Sequence, residues 1–403
     1  MTMTLQHSPT AGNCDPQLFI WMSKIRQFLH QNPELSFHES GTADYILNKL
    51  DELGIHSRSG LGGTGILAEL GPDDALLTVG LRADMDALPI TENTGLAFAS
   101  NKTGCMHACG HDGHVAMLLG AARLLLQMEL PCRVRLLFQP AEERGNGALE
   151  MIKAGAIEGL AAIFSGHIDT HYPTGTITVD EGIICAFADP FEIRLHGKSG
   201  HAARPHETKD AIVAAAGLIT SLQSLVTREV DPNQSAVLTV GKIRAGETHN
   251  IIAEEAVIEG TIRSTNPQAR KRVLEGLRRM VQGNASLYGI TADLEFMDGL
   301  PAVINQKLAT TVAHQAAEAV IPAENVVSQG PSSLGGEDFA FYLQKIEGCM
   351  VRFGARLNGE TGPAHSSTFD FDEKVLAVGA AWYAQVVLQF CANRKKTERL
   401  SGG

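Results

Sequence analysis

Arg133-Val-Arg-Leu-Leu-Phe-Gln-Pro-Ala-Glu-Glu143 joins a short run of β-branched and apolar residues to two adjacent carboxylates. Runs of the same kind lie at residues 64–70, 75–81 and 161–165, and helical patterns lie between them, notably at residues 115–128 and 147–154. Strands that alternate with helices predict an α/β domain with a largely parallel mixed sheet flanked by helices. Ligands of such sheets bind at the carboxyl ends of the strands, so we expect the polar residues that follow these runs to share one edge. Those residues are Asp84, Asp86, Glu142, Glu143 and His167.

The composition of the chain excludes several classes of protein. It has 403 residues, 44% hydrophobic and 19% charged, which suits two or three folded domains. Its 33 Lys and Arg against 45 Asp and Glu give a net charge of −12, which would repel a nucleic-acid backbone. The apolar stretches look too short or too broken to span a bilayer, and the first residues do not resemble a signal peptide. Seven cysteines, an odd number, predict reduced thiols. We therefore expect a soluble cytoplasmic protein with no nucleic-acid or membrane partner.

A second domain is predicted within the first. Residues 189–297 read as strand, helix, strand, strand, helix and strand, the order of a ferredoxin-like α+β domain. The α/β pattern resumes at residue 298 and ends in a long helix that opens near residue 372. The sequence thus predicts a main domain of residues 1–188 and 298–403, interrupted by an inserted domain of residues 189–297.

Metal ligands are the chemistry that the polar residues suggest first. Cys109 and His111 are two residues apart, and the glycine between them permits the tight backbone that lets both face one ion. Each candidate alone has an ordinary explanation, such as a buried thiol or a hydrogen-bonded histidine. Together they offer mixed nitrogen, oxygen and sulfur ligands, which suit a pair of close divalent ions better than one closed tetrahedral site. The five candidates are Cys109, His111, Glu143, His167 and His365.

Two further carboxylates near these ligands suggest separate roles. Glu142 and Glu143 project in different directions, so one can bind a metal while the other moves a proton to or from water. The alternative is a solvated acidic helix start. Asp86, and less strongly Asp84, would hydrogen-bond a ligating imidazole and fix its orientation, the alternative being a loop held by Arg82.

The inserted domain carries three candidates for substrate contact. His201 lies in a glycine-flanked segment at the end of a strand and could stabilise an oxyanion. Asn250 and Arg263 follow in strand-like sequence, and Arg263 could bind a carboxylate in bidentate fashion. Loop packing and a surface ion pair remain open as alternatives for these residues.

Five segments of the chain, in order, resemble the M20 metallopeptidases. They are most similar to the amidohydrolase branch, which includes hippurate hydrolases and hydrolases of indole-3-acetyl amino acid conjugates. The string His107-Ala-Cys-Gly-His-Asp112 is the most specific of the shared motifs. The segments begin at Leu81, Met106, Gln139, Gly197 and His365.

The resemblance implies a di-metal catalytic domain and a smaller lid domain through which members often form homodimers. It implies hydrolysis of the amide bond of N-acyl amino acids, such as N-acetyl, N-benzoyl or indoleacetyl conjugates. Carried over by position, the five ligand candidates match the family's metal ligands and Glu142 matches its general base. His201 matches the lid histidine that polarises the scissile carbonyl, while Asn250 and Arg263 resemble substrate-contacting lid positions.

The hypothesis from sequence is therefore a metal-dependent amidohydrolase. Two divalent ions, Zn or Mn first and Co or Ni next, would be bridged by the Cys109 thiolate and a hydroxide whose proton Glu142 has taken. Three alternatives stay open at this point: a non-catalytic metal or small-ligand binding protein, a dipeptidase or carboxypeptidase of the same family, and an enzyme in which Cys109 is a nucleophile.

Overall fold

A computed structural model describes residues 15–359 and 361–401, with side chains described as far as residue 394. The chain forms two compact units. The larger unit contains the described residues up to Gly182, Ile304–Gly330 and the residues from Asp338 onward, and the smaller unit contains Ile183–Val303 and Pro331–Glu337. The first segment of the smaller unit thus begins six residues before, and ends six residues after, the range 189–297 expected from sequence. The unit also includes a second, short segment.

The elements are as follows in chain order. The helices are α1 (Pro16–Gln31), α2 (Ser40–Glu52), α3 (His111–Leu125), α4 (Gly147–Lys153), α5 (Ala211–Ser224), α6 (Pro267–Tyr288), α7 (Lys307–Val320), α8 (Ala340–Leu343) and α9 (Val375–Ser401). The strands are β1 (Ser57–Leu61), β2 (Gly65–Leu70), β3 (Thr78–Asp84), β4 (Arg133–Gln139), β5 (Leu160–Pro173), β6 (Ile177–Thr178), β7 (Gly182–Cys185), β8 (Phe187–His196), β9 (Gly200–His201), β10 (Ala236–Ala245), β11 (Ile251–Ile252), β12 (Glu255–Ser264), β13 (Thr291–Phe296), β14 (Val303–Asn305), β15 (Val326–Val327) and β16 (Gly348–Arg356).

The larger unit is built on an eight-stranded mixed sheet in the order β1-β2-β4-β3-β5-β16-β6-β15. Its centre, β4-β3-β5-β16, is parallel. On one side β1 and β2 follow in antiparallel pairing, and on the other β6 pairs antiparallel with β16 and parallel with β15. The predicted α/β fold with a mixed sheet and flanking helices is confirmed. The parallel centre brings the carboxyl ends of several strands to one edge, which is where chemistry is expected.

Helices α1, α3, α7 and α9 pack around the core of this unit. Helix α1 begins where the sequence predicts: Asp15 accepts a hydrogen bond from the Gln17 N–H, and a proline occupies the first helical position. Helix α9 is the central core element, since Trp382 and Tyr383 are fully buried and Trp382 donates to the Ala313 carbonyl at 3.1 Å.

The smaller unit is built on a four-stranded antiparallel sheet in the order β10-β12-β8-β13. Helices α5 and α6 pack on it, and the chain order β8-α5-β10-β12-α6-β13 is the β-α-β-β-α-β order that the sequence predicts. Helix α6 is delimited by local signals: Asn266 accepts from two N–H groups at its start, and Gly289 ends it in the left-handed conformation.

Two helical segments of the described chain pass a test of length and apolar composition for a membrane span, Ala211–Glu229 and Val375–Arg394. The expectation that the apolar stretches are too short or too broken to span a bilayer therefore does not hold by length and composition alone, while the absence of a membrane partner stays a prediction. The second segment is mostly buried inside the larger unit, as a core helix would be, and the first is only partly buried in the smaller unit. By itself this is weak evidence for a membrane.

Two elements differ from expectation where they matter for the site. Strand β5 does not stop at residue 165 but runs to Pro173, so His167 lies within the strand, because β16 pairs with it as far as Pro173. Helix α3 begins at His111, four residues earlier than the apolar pattern indicates. Both ligand candidates are therefore fixed by regular hydrogen-bonded backbone.

Candidate metal centre

Gly110 places Cys109 and His111 at one site. It precedes α3 in the left-handed conformation, with φ of 93°, which residues with a side chain rarely adopt. A Cβ added there would also lie 3.2 Å from the Cβ of Ile168 on β5. The chain thus turns sharply between Cys109 and the first residue of α3, and it packs closely against the strand that carries His167.

The five predicted ligands come together in overlapping groups. Within each group the nitrogen, oxygen or sulfur atoms lie within 4.8 Å of one another. Cys109 belongs to two groups, one with His111 and His167 and the other with Glu143 and His365. Its Sγ lies 3.5 Å from Nε2 of His167, and Nε2 of His365 lies 3.4 Å from Oε1 of Glu143. A donor shared by two ligand groups suits a pair of neighbouring ions.

Two buried polar atoms support this interpretation. Nε2 of His111 and Oε1 of Glu143 are both buried, and among the described residues no hydrogen bond of normal geometry satisfies either atom, since His365 approaches Glu143 only as an ion pair. A buried polar atom without a partner costs about 1–3 kcal/mol, so such atoms usually mark a missing ligand or water. Both atoms point into the cluster of candidate ligands, and the donor set therefore fits divalent metal ions.

Burial, with the Glu143 carboxylate next in importance, raises the pKa of the Cys109 thiol to about 12. Nucleophilic cysteines instead have a lowered pKa, so the surroundings of Cys109 do not suit a nucleophile. A bound cation would compensate for burial by stabilising the thiolate. Burial and then the neighbouring His114 hold the pKa of His167 well below its ordinary value, which keeps this imidazole neutral, the form that binds metals.

Asp86 connects the carboxylate turn to the histidines. Its Oδ1 accepts the N–H of Glu142 and its Oδ2 accepts the N–H of Glu143, each at 3.1 Å. The Ser36 hydroxyl donates to Oδ2 at 2.6 Å, and Nδ1 of His111 lies 3.0 Å from the Asp86 carbonyl oxygen. Burial alone would raise the pKa of the Asp86 carboxyl, but the His111 imidazole beside it and then the Ser36 hydroxyl lower it. Asp86 thus holds both the candidate base and a candidate ligand in place.

Asp84 forms hydrogen bonds with other residues than Asp86 does. Its Oδ1 lies 2.5 Å from Nδ1 of His114 and its Oδ2 accepts from Arg82 at 2.6 Å. Nε2 of His114 accepts the N–H of Ile168, the residue after a candidate ligand. The buried Arg82–Asp84–His114 chain therefore supports β5 at the site. Sequence reasoning assigned no role to His114 or Ser36, because nothing in their local sequence indicates which distant atoms they contact.

Backbone strain is concentrated at this site. In the described part of the chain, three residues other than glycine have positive φ: Phe37 at 65°, Ala141 at 52° and His365 at 66°. Ala141 directly precedes Glu142, and His365 is a candidate ligand. Positive φ at such residues costs about 1–3 kcal/mol and persists only where the surroundings enforce it, a pattern that clusters at functional sites.

The three remaining candidates, His201, Asn250 and Arg263, belong to the smaller unit. His201 on β9 pairs with Ile251 on β11, and the Ala202 N–H donates to the Asn250 carbonyl at 3.1 Å, so His201 and Asn250 are neighbours. Strand β11 comes just before the Glu255 end of β12, so His201 and Asn250 lie near that end. Arg263 lies near the opposite end of β12 and pairs with Ala188. The length of β12 between Glu255 and Arg263 is about 26 Å at the usual rise per residue. The structure therefore brings two of the three together and not the third.

Clustered nitrogen, oxygen and sulfur ligands with an additional carboxylate, at the strand ends of an α/β sheet, define a metal-dependent hydrolase. The chain belongs to peptidase family M20/M25/M40, whose profile matches residues 80–389. This confirms the resemblance read from the sequence motifs, and with it the prediction of a hydrolase that acts on amide bonds.

Individual relatives agree with this assignment. Thermostable carboxypeptidase 1 of Saccharolobus solfataricus is 38% identical, over 92% of this chain and 95% of its own. N-acetylcysteine deacetylase of Bacillus subtilis is 40% identical, over 90% of this chain and 95% of its own. The crystal structure of Bacillus subtilis YXEP, a dinuclear metal binding peptidase from the M20 family, has 36% identity and a TM-score of 0.82 over 94% of this chain and 99% of that one.

Proposed function

We propose that the protein hydrolyses the amide bond of N-acyl amino acids to a carboxylic acid and a free amino acid. The observation that carries the proposal is the position of Glu142. Asp86 holds its backbone beside the candidate ligand Glu143, and an oxygen of its carboxylate lies within 4.8 Å of ligand atoms of His111 and Glu143. A carboxylate so placed can exchange a proton with a water held at the site. The deacetylase relative supports the choice of substrate class.

The residues that would hold two divalent ions are Cys109, His111, Glu143, His167 and His365. Their mixed donors accept Zn or Mn, and also Co or Ni. When bound, such ions lower the pKa of a water and polarise the amide carbonyl. Cys109, shared by both ligand groups, would keep the two ions close together.

Glu142 does the proton transfer in this proposal. It takes a proton from the water whose oxygen attacks the carbonyl carbon, and it then gives that proton to the nitrogen as the C–N bond breaks. The products are the carboxylic acid and the amine, so one water is consumed for each bond cleaved. Asp86 contributes by fixing the backbone N–H groups of Glu142 and Glu143, which sets the direction of both side chains.

The proposal assigns the substrate contacts to His201, Asn250 and Arg263. His201 would stabilise the oxyanion, and Asn250 and Arg263 would bind the substrate carboxylate. Because Arg263 lies at the far end of β12 from His201 and Asn250, one small substrate cannot contact all three within a single copy. A site that uses all three therefore takes them from two copies of the chain, which supports the proposal of a homodimer.

The surface of the smaller unit is consistent with pairing of two copies. Several large apolar side chains are 38–51% exposed on α5, on β10 and at β11, where water would otherwise cover them. They are Ile212, Val213, Val237, Ile243 and Ile251. We include dimerisation through this unit, and a cytoplasmic location, in the proposal.

The reaction is tested by metal analysis and a substrate screen. The purified protein should contain about two divalent ions per chain and hydrolyse N-acetyl, N-benzoyl or N-indoleacetyl amino acids, with activity lost on chelation and restored by metal. Glu142→Gln should retain the metal and lose at least about a thousandfold in kcat, whereas Glu143→Gln, the matched control, should also lose metal. One tightly held ion without hydrolysis of any conjugate would overturn the proposal.

The shared site is tested by mixing two inactive variants. His201→Ala and Arg263→Ala would each be inactive alone, but a mixed dimer has one site with an intact Arg263 and an intact His201. Random mixing should restore about a quarter of wild-type activity, since half of the dimers are mixed and each has one complete site. No recovery in a demonstrably mixed dimer would contradict a shared site.

A carboxypeptidase activity is the second candidate, favoured by the relative of that name. The same screen decides between the two when unblocked dipeptides are included. Faster turnover of dipeptides than of any N-acyl amino acid would reverse the order of the candidates.

A further inference from the structure

Glu39 is a buried carboxylate that the proposed mechanism does not use. It occupies the N-cap position of α2, where a side chain ordinarily accepts an N–H of its own helix. Glu39 makes no such bond, and its side chain is fully buried. Oε2 of Glu34 accepts the N–H of Thr42 at 2.8 Å instead. The acceptor atoms of Glu39 are therefore directed elsewhere.

They are directed at the turn that precedes Glu142. Oε1 of Glu39 accepts the N–H of Ala141 at 2.9 Å and the N–H of Phe37 at 2.9 Å, and Oε2 accepts the Thr64 hydroxyl at 2.6 Å. Ala141 and Phe37 are two of the three described residues other than glycine that have positive φ. One carboxylate thus binds both strained peptide groups outside the ligand set. Each of these bonds satisfies an N–H that would cost about 1–3 kcal/mol if it were buried without a partner, which offsets the strain.

The two peptide N–H groups that follow Ala141 are also bound by a carboxylate. The N–H of Ala141 is bound by Glu39, and the next two N–H groups, those of Glu142 and Glu143, are bound by Asp86. Three consecutive peptide groups are therefore held by two carboxylates from separate parts of the chain. On the other side, the Ala141 carbonyl accepts the N–H of Gly147, where a Cβ would collide with the carbonyl oxygen of Pro140. The conformation of the turn is enforced from both sides.

We propose that Glu39 is a positioning residue, which holds Ala141 in its strained conformation and thereby directs the Glu142 carboxylate. Glu39 belongs to none of the candidate ligand groups, and its effect on the reaction passes through the backbone at Ala141. The inference rests on the proposed function for its consequence in catalysis. Its structural part, that Glu39 enforces the turn, stands independently of which reaction the protein catalyses.

Glu39→Met removes the acceptors and keeps most of the volume, so it tests the proposal directly. A displacement of about 1 Å in a reacting group lowers the reaction rate about a hundredfold. We therefore expect kcat to fall by about that factor, while KM and metal content stay within about twofold of the wild-type values. Glu39→Gln keeps an oxygen for the two N–H groups and should recover most of the activity. Glu34→Met, which removes the acceptor at the start of the same helix, is the matched control and should leave kcat unchanged. Should Glu39→Met fail to fold, Glu39→Asp serves, because its shorter side chain withdraws the acceptor.

Amide hydrogen exchange gives a measurement that does not depend on activity. Peptides covering residues 138–147 should exchange faster in Glu39→Met than in the wild type, and at the wild-type rate in Glu34→Met. Ala141→Gly removes the strain that Glu39 offsets, so the loss in kcat from Glu39→Met should be smaller when both changes are combined. Unchanged exchange in Glu39→Met, or metal lost in proportion to activity, would overturn the proposal. A wild-type protein inactive on every amide would overturn the proposed function instead, and the exchange comparison would still decide the role of Glu39.

Discussion

Raising the pH from 6.5 to 9 should destabilise the larger unit through His30. This residue is fully buried, with Nδ1 2.8 Å from Oδ2 of Asp112 and Nε2 3.2 Å from Oε1 of Glu92. Burial and the nearby Arg26 cation would lower its pKa, but the two carboxylates outweigh them and raise it from 6.5 to about 9. His30 is therefore charged in the folded protein at neutral pH.

The sign and size of the effect follow from this shift. The folded protein binds the proton more tightly than the unfolded chain, so the stabilisation is complete below pH 6.5 and is lost as the pH rises to about 9. A difference of about 2.5 in pKa corresponds to about 3 kcal/mol in the free energy of unfolding. Glu92 acts in the opposite range. Its pKa is lowered to about 2, despite burial, chiefly by the hydrogen bond with His30, so its contribution is lost as the pH falls below 4.5.

Urea unfolding of the chelated protein measures this directly. Both tryptophans, Trp21 and Trp382, lie in the larger unit, so their fluorescence reports on that unit. His30→Gln should be less stable than the wild type at pH 6 but should lack the loss of about 3 kcal/mol between pH 6.5 and 9. His56→Gln, at an exposed position of the same unit, should keep the wild-type dependence. If His30→Gln shows the same decline with pH as the wild type, the reasoning is refuted.

Two further predictions concern the site. Asp86→Asn offers one acceptor oxygen where two N–H groups are now bound. We therefore expect metal affinity to weaken about 10–100-fold, measured by chelator competition, and kcat to fall by at least about a hundredfold, measured by steady-state kinetics. Ser36→Ala loses one hydrogen bond to the same carboxylate and should cost less than tenfold, and wild-type values in Asp86→Asn would contradict its assigned role. Gly110→Ala adds left-handed strain of about 1–2 kcal/mol and a contact with Ile168, so urea unfolding should show lower stability and metal titration lower affinity. Gly95 also has positive φ but has open space around it, so Gly95→Ala should lower stability without changing metal affinity. If the two variants change metal affinity equally, Gly110 does not have the role assigned to it.

The sequence predicts much of the fold and the members of the candidate site for a physical reason. Cys109, Glu143 and the other ligand candidates are residue types with specific chemistry, and they stand next to strands, turns and helix starts that local patterns reveal. The strands and helices of the smaller unit follow from periodicity and from caps such as Asn266 and Gly289. Their order is therefore readable without tertiary contacts.

Contacts between distant segments could not be predicted in this way. Glu39 and Ala141 are 102 positions apart, and no local pattern pairs them. The extension of β5 through His167 depends on β16, a strand from the far end of the chain. His201 and Arg263 are both readable as candidates, but their separation along β12 becomes visible only when the register of the sheet is known.

The position of β16 in the large sheet sets an order of events during synthesis. It pairs with β5, yet the ribosome makes it about 175 residues later, after every residue of the smaller unit has been synthesised. At about 5–20 residues per second, the growing chain waits about 10–35 s with one edge of β5 unpaired. His365, the last candidate ligand, emerges later still. Under the proposed function, metal loading of the complete site would therefore be a late step in the maturation of the chain. A nascent chain that stalls before β16 leaves an unpaired strand edge exposed to aggregation.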